Sequence, residues 1–236
     1  MIKVVASGSS GNSYIYSVGE EILLIELGIS FKKIKQKLDY DLRKVVGALV
    51  THEHSDHSKG VLEASKCGID IYMSSGTSNK LNIDSHRIYT FNHDENYNYS
   101  SVKIGNFTVL PFKAQHDCEE PVGFLIYNPN DGKTLFLTDS YYCKYKFTEL
   151  KHILIECNYS EDVIPTLPSW RARTIKSHAS LETLKETLQT WNLEKTKDIT
   201  LIHISGDNGD PNRFREEIEE LTSIKTYTAV PGLEIK

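Results

Sequence analysis

Three short runs open the chain. Ile2–Ala6, Ser13–Val18 and Glu21–Ile25 are apolar or alternating and are separated by glycine-containing turns, which predicts a β-meander. Phe31–Leu38 carries apolar residues at helical spacing behind Ser30, a residue type suited to an N-cap. Val45–Val50 reads as a short buried strand that runs directly into Thr51-His52-Glu53-His54. A helix is predicted from Ser58 to about Cys67, and a strand at Asp70–Tyr72. After the polar stretch Asn92–Ser101, strands are predicted at Val102–Ile104, Phe107–Lys113, Val122–Tyr127 and Thr134–Leu137, with Asn128-Pro129-Asn130-Asp131-Gly132 as a hairpin turn. Ile153–Cys157 and Ile199–Ile204 complete the strands, and helices are expected at Ser180–Trp191 and Pro211–Leu221. Strands, then helices, then strand–helix alternation predict an α/β layer architecture, sheets packed together with helices outside. With no linker, repeat or low-complexity segment in view, residues 1–236 read as one domain.

Composition narrows the class. Hydrophobic residues are 39% and charged residues 25%, ordinary for a soluble globular chain long enough to bury a core. No apolar stretch approaches the roughly 20 residues of a membrane span, and the first residues are too short an apolar run for a secretory signal. A cytoplasmic protein with no membrane partner is expected. Cys67, Cys118, Cys143 and Cys157 are scattered, which argues against a disulfide framework or thiolate zinc knuckle and predicts free, mostly buried thiols. The formal net charge is −5, and the densest basic stretches, Lys32–Lys37 and Trp170–Lys176, are short. That balance leans towards a small substrate rather than a long nucleic acid.

The strongest local signal is Thr51-His52-Glu53-His54-Ser55-Asp56-His57, three imidazoles and a carboxylate at a strand end ahead of a helix. His52 and His54 are spaced to face one ion, and Asp56 and His57 a second. Imidazole and carboxylate suit zinc, manganese or iron, and the lack of thiolate argues against a purely structural zinc. One turn of chain does not close two such sites. His116, Asp139 and His203, each ending an apolar strand, are the candidates for the remaining ligands. Ser7–Asn12 reads better as a tight turn than as a phosphate-binding nest, since it lacks the Gly-Lys-Ser/Thr ending of a P-loop.

These motifs resemble the metallo-β-lactamase-fold hydrolases, and within them the branch holding the WalJ (YycJ) proteins and ribonuclease Z. The resemblance runs through Ser7–Asn12, His52–His57, Leu137–Ser140, Ile155–Asn158, Ser177–Ser180 and His203–Asn208. It implies a four-layer αββα fold, two mixed β-sheets between helices, and an enzyme that is a metal-dependent phosphodiesterase. It implies two divalent ions, zinc first and manganese as the alternative. One ion would be held by His52, His54 and His116 and the other by Asp56, His57 and His203, with Asp139 bridging. His178 matches the histidine that contacts the scissile phosphate and protonates the leaving group, and Glu156 the carboxylate that orients it. Ser205 and Asn208 join His178 on the substrate side. Asp56 or Asp139 would accept the proton from the attacking water.

Departures from the branch are Glu26 where Asp is usual, Tyr159-Ser160 after Asn158, Ala179 after His178 and Gly209 after Asn208. Intact ligands in altered surroundings imply retained hydrolysis of a changed substrate. The chain is similar in size and motif set to the phage-encoded anti-Pycsar phosphodiesterases, homodimers that hydrolyse cyclic mononucleotides. The expectation is therefore a homodimer acting on 3′,5′-cyclic AMP, GMP, CMP and UMP, in a bacterial or phage-infected cell, where it would counter cyclic-nucleotide immune signalling. A WalJ-like DNA or RNA nuclease stands second. Ester, thioester or lactam hydrolysis and a non-catalytic metal-binding module stand behind both.

Overall fold

The computed structural model describes residues 1–236, the side chain of Thr174 excepted. Among the described residues, fourteen strands form two seven-stranded sheets, each mixing parallel and antiparallel pairs. The chain divides into two compact units. The first comprises Met1–Lys113, Cys118–Asp131 and Val230–Lys236, and the second Ala114–Asp117 and Gly132–Ala229.

In the first unit β1 (Ile2–Ala6), β2 (Ser13–Val18) and β3 (Glu21–Ile25) form the predicted antiparallel meander, with Ile2 opposite Tyr16 and Tyr14 opposite Ile25. Helix α1 (Phe31–Lys37) leads to β4 (Val45–Leu49), which lies parallel to β3. Ser30 occupies the N-cap position of α1, but its side chain caps nothing. The entry is fixed instead by Phe31 N, which donates to Glu63 Oε2 at 3.1 Å. The helix predicted from Ser58 is in fact two, α2 (Ser55–Ser58) and α3 (Val61–Lys66). Gly60 separates them. Its amide donates to Leu27 O at 2.7 Å, and a Cβ there would stand 2.7 Å from Ile29 O. Phe31 and Ile34 of α1 and Val61 and Ala64 of α3 bury those helices against Leu24 and Ala48 of the sheet. Each large side chain so buried contributes on the order of 1.5–3 kcal/mol.

The parallel part of this sheet continues through β5 (Ile71–Met73) and, after α4 (Ser75–Leu81), β6 (Ile88–Thr90). Neither α4 nor β6 shows in the hydrophobic pattern, because SGTSNKL is mostly polar and β6 is only three residues long and partly exposed. The antiparallel strands β7 (Val102–Ile104), β8 (Phe107–Lys113) and β9 (Val122–Asn128) follow, with Val109 opposite Ile126. The last strand of the chain, Glu234–Ile235, returns to pair with β1.

The second unit holds β10 (Gly132–Leu137), β11 (Leu150–Glu156), β12 (Asp198–Ile202) and β13 (Lys225–Thr228), all parallel. Their near-continuous apolar sequences reflect burial on both faces. Between β11 and β12 come a short 3₁₀ segment at Glu161–Thr166, α5 (Ser169–Ile175) and α6 (Leu181–Gln189), and α7 (Pro211–Thr222) precedes β13. Ser180 caps α6 by accepting from Thr183 N at 3.0 Å. Asp210 caps α7 by accepting from the amides of Asn212 and Arg213, with Pro211 in the first turn.

All four cysteines are free, but only Cys157 is buried, which corrects the expectation of mostly buried thiols. Cys67 is the C-terminal cap of α3 and so lies at the surface. No helix among the described residues is long and apolar enough to cross a membrane.

Candidate functional site

In the first unit the chain leaves β4 through Val50, Thr51 and His52. Thr51 Oγ1 meets His52 Nδ1 at 2.9 Å, which orients the ring. The His52 ring lies edge-on to His54 at 4.6 Å and 4.2 Å from His57, centroid to centroid. His54 opens α2, its carbonyl accepting from His57 N at 2.9 Å and Ser58 N at 3.0 Å. That single turn of helix swings Asp56 and His57 back towards the strand end, so that Asp56 Oδ2 sits 3.3 Å from His57 Nε2.

Glu26 lies beneath this turn, wholly buried at the end of β3 and in left-handed backbone (φ 65°). Its Oε1 is 3.5 Å from His57 Nδ1, and its Oε2 accepts from Thr51 N at 3.4 Å. Burial pushes the Glu26 carboxyl up, against the opposing pull of His57 and Thr51. The longer side chain that departs from the usual aspartate therefore still reaches the ring it would support.

Asn12 was absent from the sequence-based site, yet it joins the opening loop to this motif. Its amide donates to Asp56 O at 2.7 Å, and its Nδ2 lies 3.2 Å from His57 Nε2. Gly8 N donates to Asn12 Oδ1 at 2.9 Å, which makes Ser7–Asn12 a tight turn, in keeping with the preferred reading. The sequence signals for Asn12 are its place in that glycine- and serine-rich turn and the resemblance that runs through Ser7–Asn12.

In the second unit three neighbouring parallel strands end together. Leu137 of β10 pairs with Ile155, and Glu156 of β11 pairs with Ile202. Asp139, Glu156 and His203 therefore gather at the carboxyl ends of adjacent strands, where α/β sheets present their functional groups. Asp139 (φ 47°) and His203 (φ 52°) both adopt left-handed backbone. For residues other than glycine that conformation costs on the order of 1–3 kcal/mol each, and it recurs at functional sites.

Glu156 is the hub. Its Oε1 accepts from His178 Nδ1 at 2.7 Å and from His203 Nδ1 at 3.1 Å, and its Oε2 accepts from the amides of Ser140 and Ala179, both at 3.1 Å. Burial alone would raise this carboxyl, but His178 and the surrounding donors outweigh it and hold it well below the usual carboxylate range. For His178, burial works to lower the basicity of the ring, and Glu156 and Asp139 overcome it to give a net rise. Both shifts favour a proton on His178 beside an ionised Glu156.

His178 stacks on His203 at 5.4 Å with 12° between the rings, and its other ring neighbour is His116 at 5.2 Å. His116 Nδ1 donates to Ser177 O at 3.1 Å, and its Nε2 lies 3.6 Å from Asp139 Oδ2. The first bond fixes the tautomer and turns Nε2 to the cluster. Asp139, Glu156, His178 and His203 each offer a ligand atom, and these atoms all lie within 4.8 Å of one another. Asn158, also missed as a site residue, steadies the group by donating to His203 O at 2.8 Å. Its signal was the Ile155–Asn158 stretch. Ser205 and Asn208 lie on the following loop, where Ser205 Oγ accepts from Asn208 N at 3.2 Å.

Each unit thus gathers part of the expected set: His52, His54, Asp56 and His57 in the first, and His116, Asp139, Glu156, His178 and His203 in the second. Oriented imidazoles with carboxylates, and no thiolate, are a donor chemistry that fits a divalent ion such as zinc or manganese.

The beta-lactamase superfamily domain matches residues 26–204, from the buried Glu26 to the residue after His203. The chain belongs to the metallo-β-lactamase superfamily. Its two mixed sheets with helices are the fold of that superfamily, and the divalent-metal requirement that the fold implies agrees with the donor sets above. Among curated superfamily proteins it is 27% identical over 248 aligned positions to exodeoxyribonuclease YycJ of Bacillus anthracis, covering 98% of this chain and 92% of that protein. It is 29% identical over 225 positions to exodeoxyribonuclease WalJ of Streptococcus pneumoniae, covering 87% of this chain and 81% of that one. The crystal structure of YhfI from Bacillus subtilis, a metallo-β-lactamase fold protein, superposes with a TM-score of 0.76 at 16% identity, covering 98% of this chain and 97% of the other. As a member of that superfamily the chain is a metal-dependent hydrolase.

Proposed function

We propose that this chain is a two-metal phosphodiesterase that cleaves nucleotides from the end of a DNA strand, its two units working as one domain. The observation that carries the phosphodiesterase reading is the Glu156–His178 pair beside Asp139 and His203. A protonated imidazole held by a buried carboxylate is the group needed to neutralise a departing alkoxide. Support for DNA comes from the identity with exodeoxyribonuclease YycJ over 98% of the chain.

His52, His54 and His116 would hold one ion and Asp56, His57 and His203 the other, with Asp139 shared. Bound there, the ions would supply Lewis-acid stabilisation of phosphoryl charge and a water activated near neutral pH. The chain's own residues do the rest. Glu26 and Asn12 hold the His57 end of the motif in place. Glu156 favours the protonated form of His178 and aims the ring, so that an Nε2 proton can pass to the leaving oxygen. Asp56 or Asp139 takes the proton released by the attacking water, and Ser205 and Asn208 contact the substrate beside His178.

A second reading, hydrolysis of 3′,5′-cyclic mononucleotides by a homodimer, is favoured by the formal net charge of −5, which disfavours tracking along a polyanion. Product analysis separates the two. Manganese- or zinc-loaded protein is incubated with cyclic AMP, GMP, CMP and UMP in one pool and with single- and double-stranded DNA and RNA in another. Mononucleotides released from DNA ends, with cyclic nucleotides intact, support the exonuclease. Linearised cyclic nucleotides with intact strands overturn it in favour of the second reading.

A further inference from the structure

Two segments leave the Asp139–His178 cluster, and both are aromatic, basic and exposed. Tyr141 and Tyr142 follow Asp139 by two and three residues and are 48% and 54% exposed. Their backbone is pinned, since Tyr141 N donates to Gln115 O at 3.1 Å and Tyr142 O accepts from Ser140 Oγ at 2.9 Å. The rings thus project from a fixed loop, and little entropy is left to lose on binding. The second segment, α5, runs into the catalytic pair, with His178 N donating to Ile175 O at 3.0 Å. That helix carries Trp170, 67% exposed, and Arg173, with Lys176 just beyond. Between Pro168 and His178 there are three basic residues and no acidic one, in a chain whose net charge is −5. Arg171, the third, is engaged by Asp207 of the loop after His203, which ties the segment to the cluster.

The Trp170 indole presents most of its surface to solvent. Next to a guanidinium and an ammonium it matches a nucleic acid strand with unstacked bases, whose π-faces stack on aromatics and whose phosphates pair with the cations. A duplex would hide those faces. We propose that Trp170, Arg173 and Lys176, with Tyr141 and Tyr142, form the surface that receives the single-stranded end of a DNA substrate. This rests on the exonuclease reading and adds the strandedness and the residues that read it. It also answers the charge objection, because the positive charge is concentrated in the segment that leads into His178.

The chain contains its own probe. Of its two tryptophans, Trp191 is 6% exposed, with Nε1 donating to Tyr145 O at 3.0 Å, so ligand-induced quenching reports on Trp170. Metal-loaded protein titrated with a phosphorothioate oligothymidine is expected to lose tryptophan fluorescence, while thymidine monophosphate leaves it nearly unchanged. Steady-state kinetics on oligothymidine should then give KM raised roughly 5- to 100-fold in Trp170→Ala, with partial recovery in Trp170→Phe. In Arg173→Ala the slope of log KM against log salt should fall by about 0.7. Both effects fall on KM and not kcat, which a merely structural role would not select. Wild-type protein that degrades oligothymidine with no quench and with KM unmoved in both variants overturns the surface and leaves the exonuclease reading standing. Wild-type protein that hydrolyses neither oligothymidine nor bis(p-nitrophenyl) phosphate overturns the phosphodiesterase reading, and the quench then decides the surface by itself.

Discussion

Glu156 Oε1 lies 2.7 Å from His178 Nδ1, and the same oxygen also receives His203 Nδ1 at 3.1 Å. One buried carboxylate thus orients two imidazoles that belong to different strands and loops. With two backbone amides on its other oxygen, Glu156 keeps its negative charge despite complete burial.

Glu156→Gln tests that hub. The amide turns an NH₂ towards groups that are themselves donors, so at least one donor loses its partner, at a cost of about 1–3 kcal/mol. In a chain of this size the melting temperature should fall by about 2–4 °C per kcal/mol. Turnover should fall about 10²-fold as the positive charge on His178 is no longer supported. Calorimetry and initial rates check it, and an unchanged melting temperature with an unchanged rate would remove Glu156 from the account.

Much of this arrangement was legible in the sequence, for identifiable reasons. Strands such as Ile2–Ala6 and Phe107–Lys113 agree with their predicted bounds because alternating or continuous apolar runs between turn residues leave little choice. The ligand-type residues stood out because charged and imidazole groups interrupt apolar strand ends. Asn12 and Asn158 did not stand out, since an asparagine in a turn looks the same whether or not it steadies a histidine. Short polar elements such as Ser75–Leu81 are held by contacts distant in sequence, as when Gly76 N donates to Glu120 Oε2 at 2.5 Å, and no local pattern reveals them.

Metal removal gives the next prediction. Exhaustive chelation should abolish hydrolysis, and manganese or zinc should restore it. His54→Ala should bind less metal by elemental analysis and should not be restored by the same additions. Full activity in the chelated protein would contradict the metal-dependent reading.

Glu26→Ala removes the buried carboxylate that stands 3.5 Å from His57 Nδ1. Loss of such a supporting carboxylate typically lowers metal affinity about 10- to 100-fold. Competition with a chromophoric chelator measures this, and affinity equal to wild type would assign Glu26 to folding alone.

Gly28 lies where the opening turn, β3 and the histidine motif meet. Its amide donates to Asn12 O at 2.8 Å, and a Cβ would fall 1.6 Å from Asp56 O and 2.7 Å from Asn12 N. Both are backbone atoms, so neither can rotate away. Gly28→Ala should destabilise the chain by at least about 1–3 kcal/mol and shift the Asp56–His57 turn. Gly206→Ala, where a Cβ meets nothing within 4 Å, is the matched control and should stay within about 0.5 kcal/mol of wild type.

The most direct test of the central claim compares His178→Ala with wild type on two diesters in the same metal-loaded state. Hydrolysis of a dinucleotide expels a nucleoside alkoxide, which needs a proton; bis(p-nitrophenyl) phosphate expels a stable phenolate, which does not. The account predicts a fall of about 10²–10⁴-fold on the dinucleotide and less than about 10-fold on the nitrophenyl ester, with metal content unchanged. Equal losses on both substrates, or no hydrolysis of either by wild type, would contradict it.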